Sequence, residues 1–219
     1  RGMSQVFLLN NVATGILFFA AIGYSSWFMS IGAVIGVLVG TSTALLLKYD
    51  RNDIQQGLYG YNGILVGLAI ICFFGFNLSS VFALVFGAAL SSIIRKGMSA
   101  WKLPPYTAPF IISTWIVMSW LIIFNIIPLQ AGGMPEARHV DIIPAVTKGM
   151  GQVMFLENII AGGIVFIGIL VSSRITAFYA LLGASIGIAV AFASSFPLNM
   201  INIGMFGFNA VLCGIAFSG

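Results

Sequence analysis

The sequence predicts an all-α polytopic membrane protein made of two inverted five-helix repeats, and three observations predict it. The first is composition. Of 219 residues, 60% are apolar and 6% are charged, whereas a soluble domain carries about 25% charge. With a mean hydropathy of +1.09, the chain has too few polar side chains to cover a water-facing surface. Cytosolic enzymes, disordered chains and nucleic-acid binders are excluded. The second observation is patterning: long apolar runs alternate with short hydrophilic breaks, and helices satisfy their own backbone in lipid whereas open sheets do not. The third is an internal repeat whose two copies carry their charges on opposite sides.

A spanning helix needs about 20 apolar residues. Residues 12–47 hold no charge and are too long for one span, so the run is split near Gly23-Tyr24-Ser25-Ser26. The break Lys48-Tyr49-Asp50-Arg51-Asn52-Asp53 follows. A glycine-rich apolar stretch covers 57–76, and a span covers about 78–94. Arg95, Lys96 and Lys102 form the next break, and another span runs from about 108 to 128. The polar loop 129–147 contains Glu136, Arg138, His139 and Asp141, and apolar segments return at 159–171, 175–196 and 203–218. Cys72 and Cys213 lie in apolar runs without a CxxC neighbour. They read as small core hydrophobes, not metal or redox ligands.

A shift of 147 residues aligns two copies without gaps. Gly2-Met3-Ser4-Gln5-Val6 matches Gly149-Met150-Gly151-Gln152-Val153, and Asn11 matches Asn158. Gly36, Gly40 and Ala44 match Gly183, Gly187 and Ala191. Gly57-Leu58-Tyr59-Gly60-Tyr61-Asn62-Gly63-Ile64-Leu65 matches Gly204-Met205-Phe206-Gly207-Phe208-Asn209-Ala210-Val211-Leu212. Lys48 and Arg51 occupy the second break of copy one, whose equivalent in copy two is uncharged. Arg174 stands in the first turn of copy two, where copy one has Trp27. Basic residues favour the cytoplasmic side, so the copies have opposite topology. The expected organisation is a first repeat at 1–128, an extracytoplasmic loop at 129–147 and a second repeat at 148–219. The second is truncated, because it has no counterpart of anything after about residue 72. Inverted repeats are a frequent plan of transporters and channels, with the path at the repeat interface.

Three features could line such a path. The repeated glycine-aromatic-Asn block reads either as a half-spanning re-entrant segment displaying carbonyls or as close helix packing through small residues. In Leu103-Pro104-Pro105-Tyr106-Thr107-Ala108-Pro109-Phe110, Pro109 removes a donor and can free carbonyls near Thr107, or it simply starts a helix. Gln5 and Gln152 precede matching spans and offer donor and acceptor together. No carboxylate, Lys or Arg is placed clearly inside a span, which argues against ion coupling and for a neutral solute. The single histidine, His139, lies in the polar loop, so neither a catalytic site nor a metal site is expected, and no cofactor.

These motifs resemble one family, the urea transporters (urea channels). The block 103–110 followed by Thr114-Trp115 resembles that family's Leu-Pro-x-x-Thr-x-Pro-Phe signature, and the repeated Gly-x-x-Gly-aromatic-Asn-x-x-Leu and Gly-x-x-Gln-Val blocks resemble it too. The resemblance implies two inverted five-helix halves with half-spanning helices, a pore in each protomer and a homotrimer. It also implies a second Leu-Thr-x-Pro-Phe block near position 254, beyond this chain. Passive, channel-like urea flux is the implied activity, through a slot whose walls would be Val6, Leu8, Tyr61 and Leu65 in copy one. In copy two they would be Val153, Phe155, Phe208 and Leu212. Thr107 would offer a hydroxyl at the constriction, with Gln5 and Gln152 at oxygen-bearing positions. Leu8 and Tyr61 both stand where the family usually has Phe. The expected partners are urea and membrane lipid, and no nucleic acid. The expected location is a cell membrane, a bacterial inner one because the loops are short. The alternatives are a facilitator for another small amide or polyol, or a non-transporting membrane scaffold.

Overall fold

The computed structural model describes residues 1–130, 133 and 136–218. Every regular element among them is helical: α1 (Gly2–Gln5), α2 (Val12–Ser25), α3 (Trp27–Leu46), α4 (Arg51–Gln55), α5 (Gly60–Phe74), α6 (Leu78–Ala100), α7 (Ala108–Ile123), α8 (Ile142–Gly151), α9 (Ile159–Ser172), α10 (Arg174–Ala193), α11 (Leu198–Asn202) and α12 (Phe208–Phe217), with a 3₁₀ turn at Gln152–Met154. The caps explain the boundaries. Ser26 accepts a hydrogen bond from the Met29 amide and Ser173 one from the Thr176 amide, so each breaks a long apolar run into two helices. Asn77 caps α6 through the Ser80 amide, and Asn158 caps α9 through two amides.

Several helices stop on a left-handed residue that is not glycine. Lys48 follows α3 at φ 55°, Lys102 follows α6 at 58°, Asn125 follows α7 at 48° and Ser195 follows α10 at 57°. Asn125 therefore ends α7 before the expected limit at 128. The hydrophilic loop is shorter than its sequence suggests, because α8 begins at Ile142. Residues 131, 132, 134 and 135 of that loop, and residue 219, lie outside the described residues.

Three described helices are long and apolar enough to cross a membrane: α3, α6 and α10. Residues 142–154 and 159–172 form a pair bent by 74°. The helices α2, α5, α7 and α12 are apolar but shorter, between 10 and 17 residues. Many large apolar side chains on the long helices face outward, among them Trp27, Phe82, Phe86 and Phe178. This is the pattern of a helical membrane protein whose surrounding solvent is hydrocarbon.

The chain divides into two compact units. Unit 1 comprises Arg1–Val6 and Ser26–Ala131, and unit 2 comprises Phe7–Ser25 and Gly132–Gly219. The core of unit 1 is α5, which packs on α3, α6, α7 and α1. Its contact with α3 is backbone to backbone. A Cβ on Gly36 would lie 2.1 Å from the Gly63 carbonyl oxygen, and one on Gly63 would lie 2.2 Å from that of Gly36. The glycines of the Gly57–Gly63 block thus serve close helix packing, with α5 helical from Gly60 onward. In unit 2, α10 packs on α12, and a Cβ on Gly183 would lie 2.2 Å from the Ala210 carbonyl oxygen. α2 packs on α9, and the Thr14 hydroxyl donates to the Gly168 carbonyl at 2.8 Å.

Two sequence expectations are corrected here. Arg95 is not in a hydrophilic break: α6 continues to Ala100, and Arg95 is 6% exposed inside it. Nothing between Ile94 and Gly97 stops a helix, and the inward face of α6 has an acidic and an aromatic partner for the guanidinium. Cys213 is exposed on α12 and Cys72 is half-buried, so neither is a fully enclosed core residue.

Candidate functional site

In unit 1 the site grows from the turn before α5. Gly57 has φ 79°, and a Cβ there would lie 2.5 Å from the Gly2 amide nitrogen, so the turn closes directly on α1. The chain then enters α5 with Tyr61 and Asn62 both buried. Asn62 acts as a clamp. Its Oδ1 accepts from the Phe110 amide at 3.1 Å, and its Nδ2 donates to the Tyr106 carbonyl at 3.5 Å. The Tyr61 hydroxyl donates to that same carbonyl. Tyr106 is held at φ 37°, a strained left-handed conformation for a residue with a side chain, and these bonds are what retain it.

The turn accounts for its own backbone groups. Pro109 sits in the first turn of α7 and has no N–H to give the Pro105 carbonyl, which instead accepts from the Ala108 amide at 3.0 Å. The Thr107 carbonyl accepts from the Ile111 amide at 3.1 Å. The carbonyls of residues 105, 106 and 107 are therefore all engaged, which corrects the expectation that Pro109 frees them. Among the described residues the Thr107 hydroxyl remains uncommitted: Thr107 stands at the N-cap of α7 without a side-chain cap bond.

The other unit 1 candidates lie around α5. Tyr61 and Leu65 are one helical turn apart on the same face and are each 2% exposed. Gln5 and Val6, at the end of α1, are also buried, and α1 packs on α5. The Gln5 side chain makes no hydrogen bond among the described residues.

In unit 2 the turn Gln152–Met154 touches both α8 and α12. Gln152 is buried and donates to the Ile203 carbonyl at 2.9 Å. Val153 is buried, and Phe155 ends the turn at φ 60°. Phe208 and Leu212, one turn apart on α12, are half-buried. Leu8 belongs to unit 2 and is left-handed at φ 58°, beside the fully buried Phe7, whose ring lies 4.8 Å from that of Phe18.

Backbone geometry recurs at the spacing of the sequence repeat. Leu8 and Phe155, Lys48 and Ser195, and Gly57 and Gly204 are pairs of left-handed residues separated by the same interval. Sequence reading missed two features of the site: the Tyr106 carbonyl as an anchor point and the Asn62 clamp on both ends of the turn. Asn62 was visible only as one letter of a repeated motif; its partners lie 44 and 48 residues away.

The elements define a helical membrane protein whose proline-bounded turn presents a hydroxyl beside a buried aromatic and amide pair. A sequence model described as urea transporter matches residues 1–219, and the chain belongs to the urea transporter family. It is 30% identical over 240 residues to the protein named Urea transporter 1 of Ovis aries, and equally to that of Mus musculus. Each alignment covers all of this chain and 62% of the relative. The chain thus spans about three-fifths of the length of the curated relatives it matches.

Proposed function

We propose that the protein is a passive, channel-type transporter that conducts urea down its concentration gradient. The relatives named as urea transporters support the substrate, and one observation carries the site. The Tyr106–Thr107 turn is fixed at both ends by Asn62, and its hydroxyl is left uncommitted.

Urea is planar, neutral and rich in N–H donors. Each donor stripped of water and left unpaired costs about 1–3 kcal/mol. In this reading the Thr107 hydroxyl and the side-chain oxygens of Gln5 and Gln152 replace that water. Val6, Tyr61 and Leu65 within unit 1, and Leu8, Val153, Phe155, Phe208 and Leu212 within unit 2, supply the apolar surfaces for a flat molecule. None of these side chains carries a charge to compensate an ion, and none of these steps is chemical catalysis. The wider assembly belongs to the same proposal: two inverted five-helix repeats, at 1–128 and 148–219, with half-spanning helices, in a homotrimer crossing a bacterial inner membrane several times. The uncharged second break of copy two, opposite Lys48 and Arg51 in copy one, supports the inversion.

Stopped-flow uptake into proteoliposomes carrying the full-length protein tests this. Urea uptake should be fast, saturable and indifferent to membrane potential or a sodium gradient. Thr107→Val should lower it by about tenfold, the loss of one hydrogen bond to the solute. Uptake no faster than empty liposomes, or faster for glycerol and acetamide than for urea, would overturn the assignment.

A further inference from the structure

Arg95 is the buried charge that the passage does not use directly. An arginine inside an apolar helix is costly, and where one is kept it faces protein and has a partner. Its neighbour Lys96 is exposed, so α6 has an outward position for a cation at this level. Arg95 instead turns inward. Its guanidinium carbon lies 5.2 Å from the centre of the Tyr59 ring, and Nη2 lies 3.9 Å from Oδ2 of Asp53, whose side chain is 35% exposed. Tyr59 is the N-cap of α5, two residues before Tyr61. The Arg95 Nε has no hydrogen-bond partner among the described residues. The Tyr59 ring lies 5.3 Å from the Tyr49 ring, and Lys96 Nζ stands 5.5 Å over Tyr49. Two cations and two rings therefore build one stack against the start of α5.

Stability is a poor reason for such a cluster, since apolar replacement of a buried ion pair is often neutral or better. Geometry is a better one. A guanidinium is a rigid, planar fork that fixes aromatic rings and hydroxyls in one arrangement. We propose that Arg95 is a positioning residue. Anchored by Asp53, it holds Tyr59 and with it the first turn of α5, from which the Tyr61 hydroxyl holds the Tyr106 carbonyl and sets how bulky an amide can pass Thr107. The inference rests on the reading of Thr107 as part of the passage.

The test compares wild type, Arg95→Met, Arg95→Lys, Tyr61→Phe and the Arg95→Met/Tyr61→Phe double variant of the full-length protein. The readout is the permeability ratio of N-methylurea to urea in proteoliposomes. Arg95→Met should raise the ratio about threefold or more, and Arg95→Lys should restore part of the selectivity. Adding Tyr61→Phe to Arg95→Met should change nothing further, because the hydroxyl's hold is already lost. An unchanged ratio in folded Arg95→Met, or effects of the two substitutions that multiply, would overturn the proposal. If Arg95→Met does not fold, Asp53→Asn takes its place, with a smaller rise expected and an unchanged ratio again decisive. Hydrogen–deuterium exchange of residues 103–111 supplies a readout independent of transport. Faster exchange in Arg95→Met supports the positioning role, and equal exchange overturns it even if wild-type flux is absent, a result that would by itself remove only the urea reading.

Discussion

At the start of α5, Asn62 is fully buried and holds both ends of the turn at residues 105–110. At the matching place on α12, Asn209 is exposed and makes no hydrogen bond among the described residues. The surroundings are otherwise alike: a left-handed glycine closing on the first helix of its block, then a short apolar helix packed on a long one. The difference shows that the motif has two separable parts. Its glycines serve backbone packing, and they do so in both units. Its asparagine serves a partner segment, and among the described residues only unit 1 supplies one.

The largest contrast should come from the glycines. Gly63→Ala should cost about 3 kcal/mol, because its Cβ meets the Gly36 carbonyl oxygen at 2.2 Å and both sides of that contact are backbone. The equivalent position in unit 2 already holds Ala210, and Ala210→Gly should cost under about 1 kcal/mol. Thermal unfolding in detergent checks both, and equal losses would dissolve the distinction. Next in size is the clamp itself. Asn62→Ala should cost about 2 kcal/mol by removing the acceptor of the Phe110 amide, whereas Asn62→Asp keeps an accepting oxygen there and should cost less. The same melts decide this pair. The smallest contrast concerns the glutamines. Gln152→Met loses its bond to the Ile203 carbonyl and should cost about 1 kcal/mol. Gln5→Met, with no hydrogen bond to lose among the described residues, should leave the melting temperature unchanged. Its effect should instead be read in urea uptake.

Much of this was legible along the chain because it is local. Ser25-Ser26 marked the break between α2 and α3, since a hydroxyl that can cap announces a helix start. The glycine block marked α5 and α12, and its spacing marked the repeat. What was not legible depends on residues far apart. The engagement of the Tyr106 carbonyl follows from Asn62 and Tyr61 reaching across more than 40 residues, which no local pattern encodes. Arg95 reads as a surface charge because a hydropathy window registers the charge but not the side of the helix it occupies. The assignment of α2 to unit 2 is likewise invisible, because every helix here is apolar enough to suit either unit.

That last assignment has a consequence in time. α2 is made well before its partner α9: the Thr14 hydroxyl and the Gly168 carbonyl it binds are 154 residues apart. At a translation rate of about 5–20 residues per second, the inward face of α2 waits roughly 8–30 s for that partner. Throughout that interval Thr14, Phe18 and Ile22 sit against lipid or the insertion machinery instead of protein. A nascent chain paused before residue 159 should therefore leave α2 open to crosslinking with its surroundings, and one released after residue 172 should not.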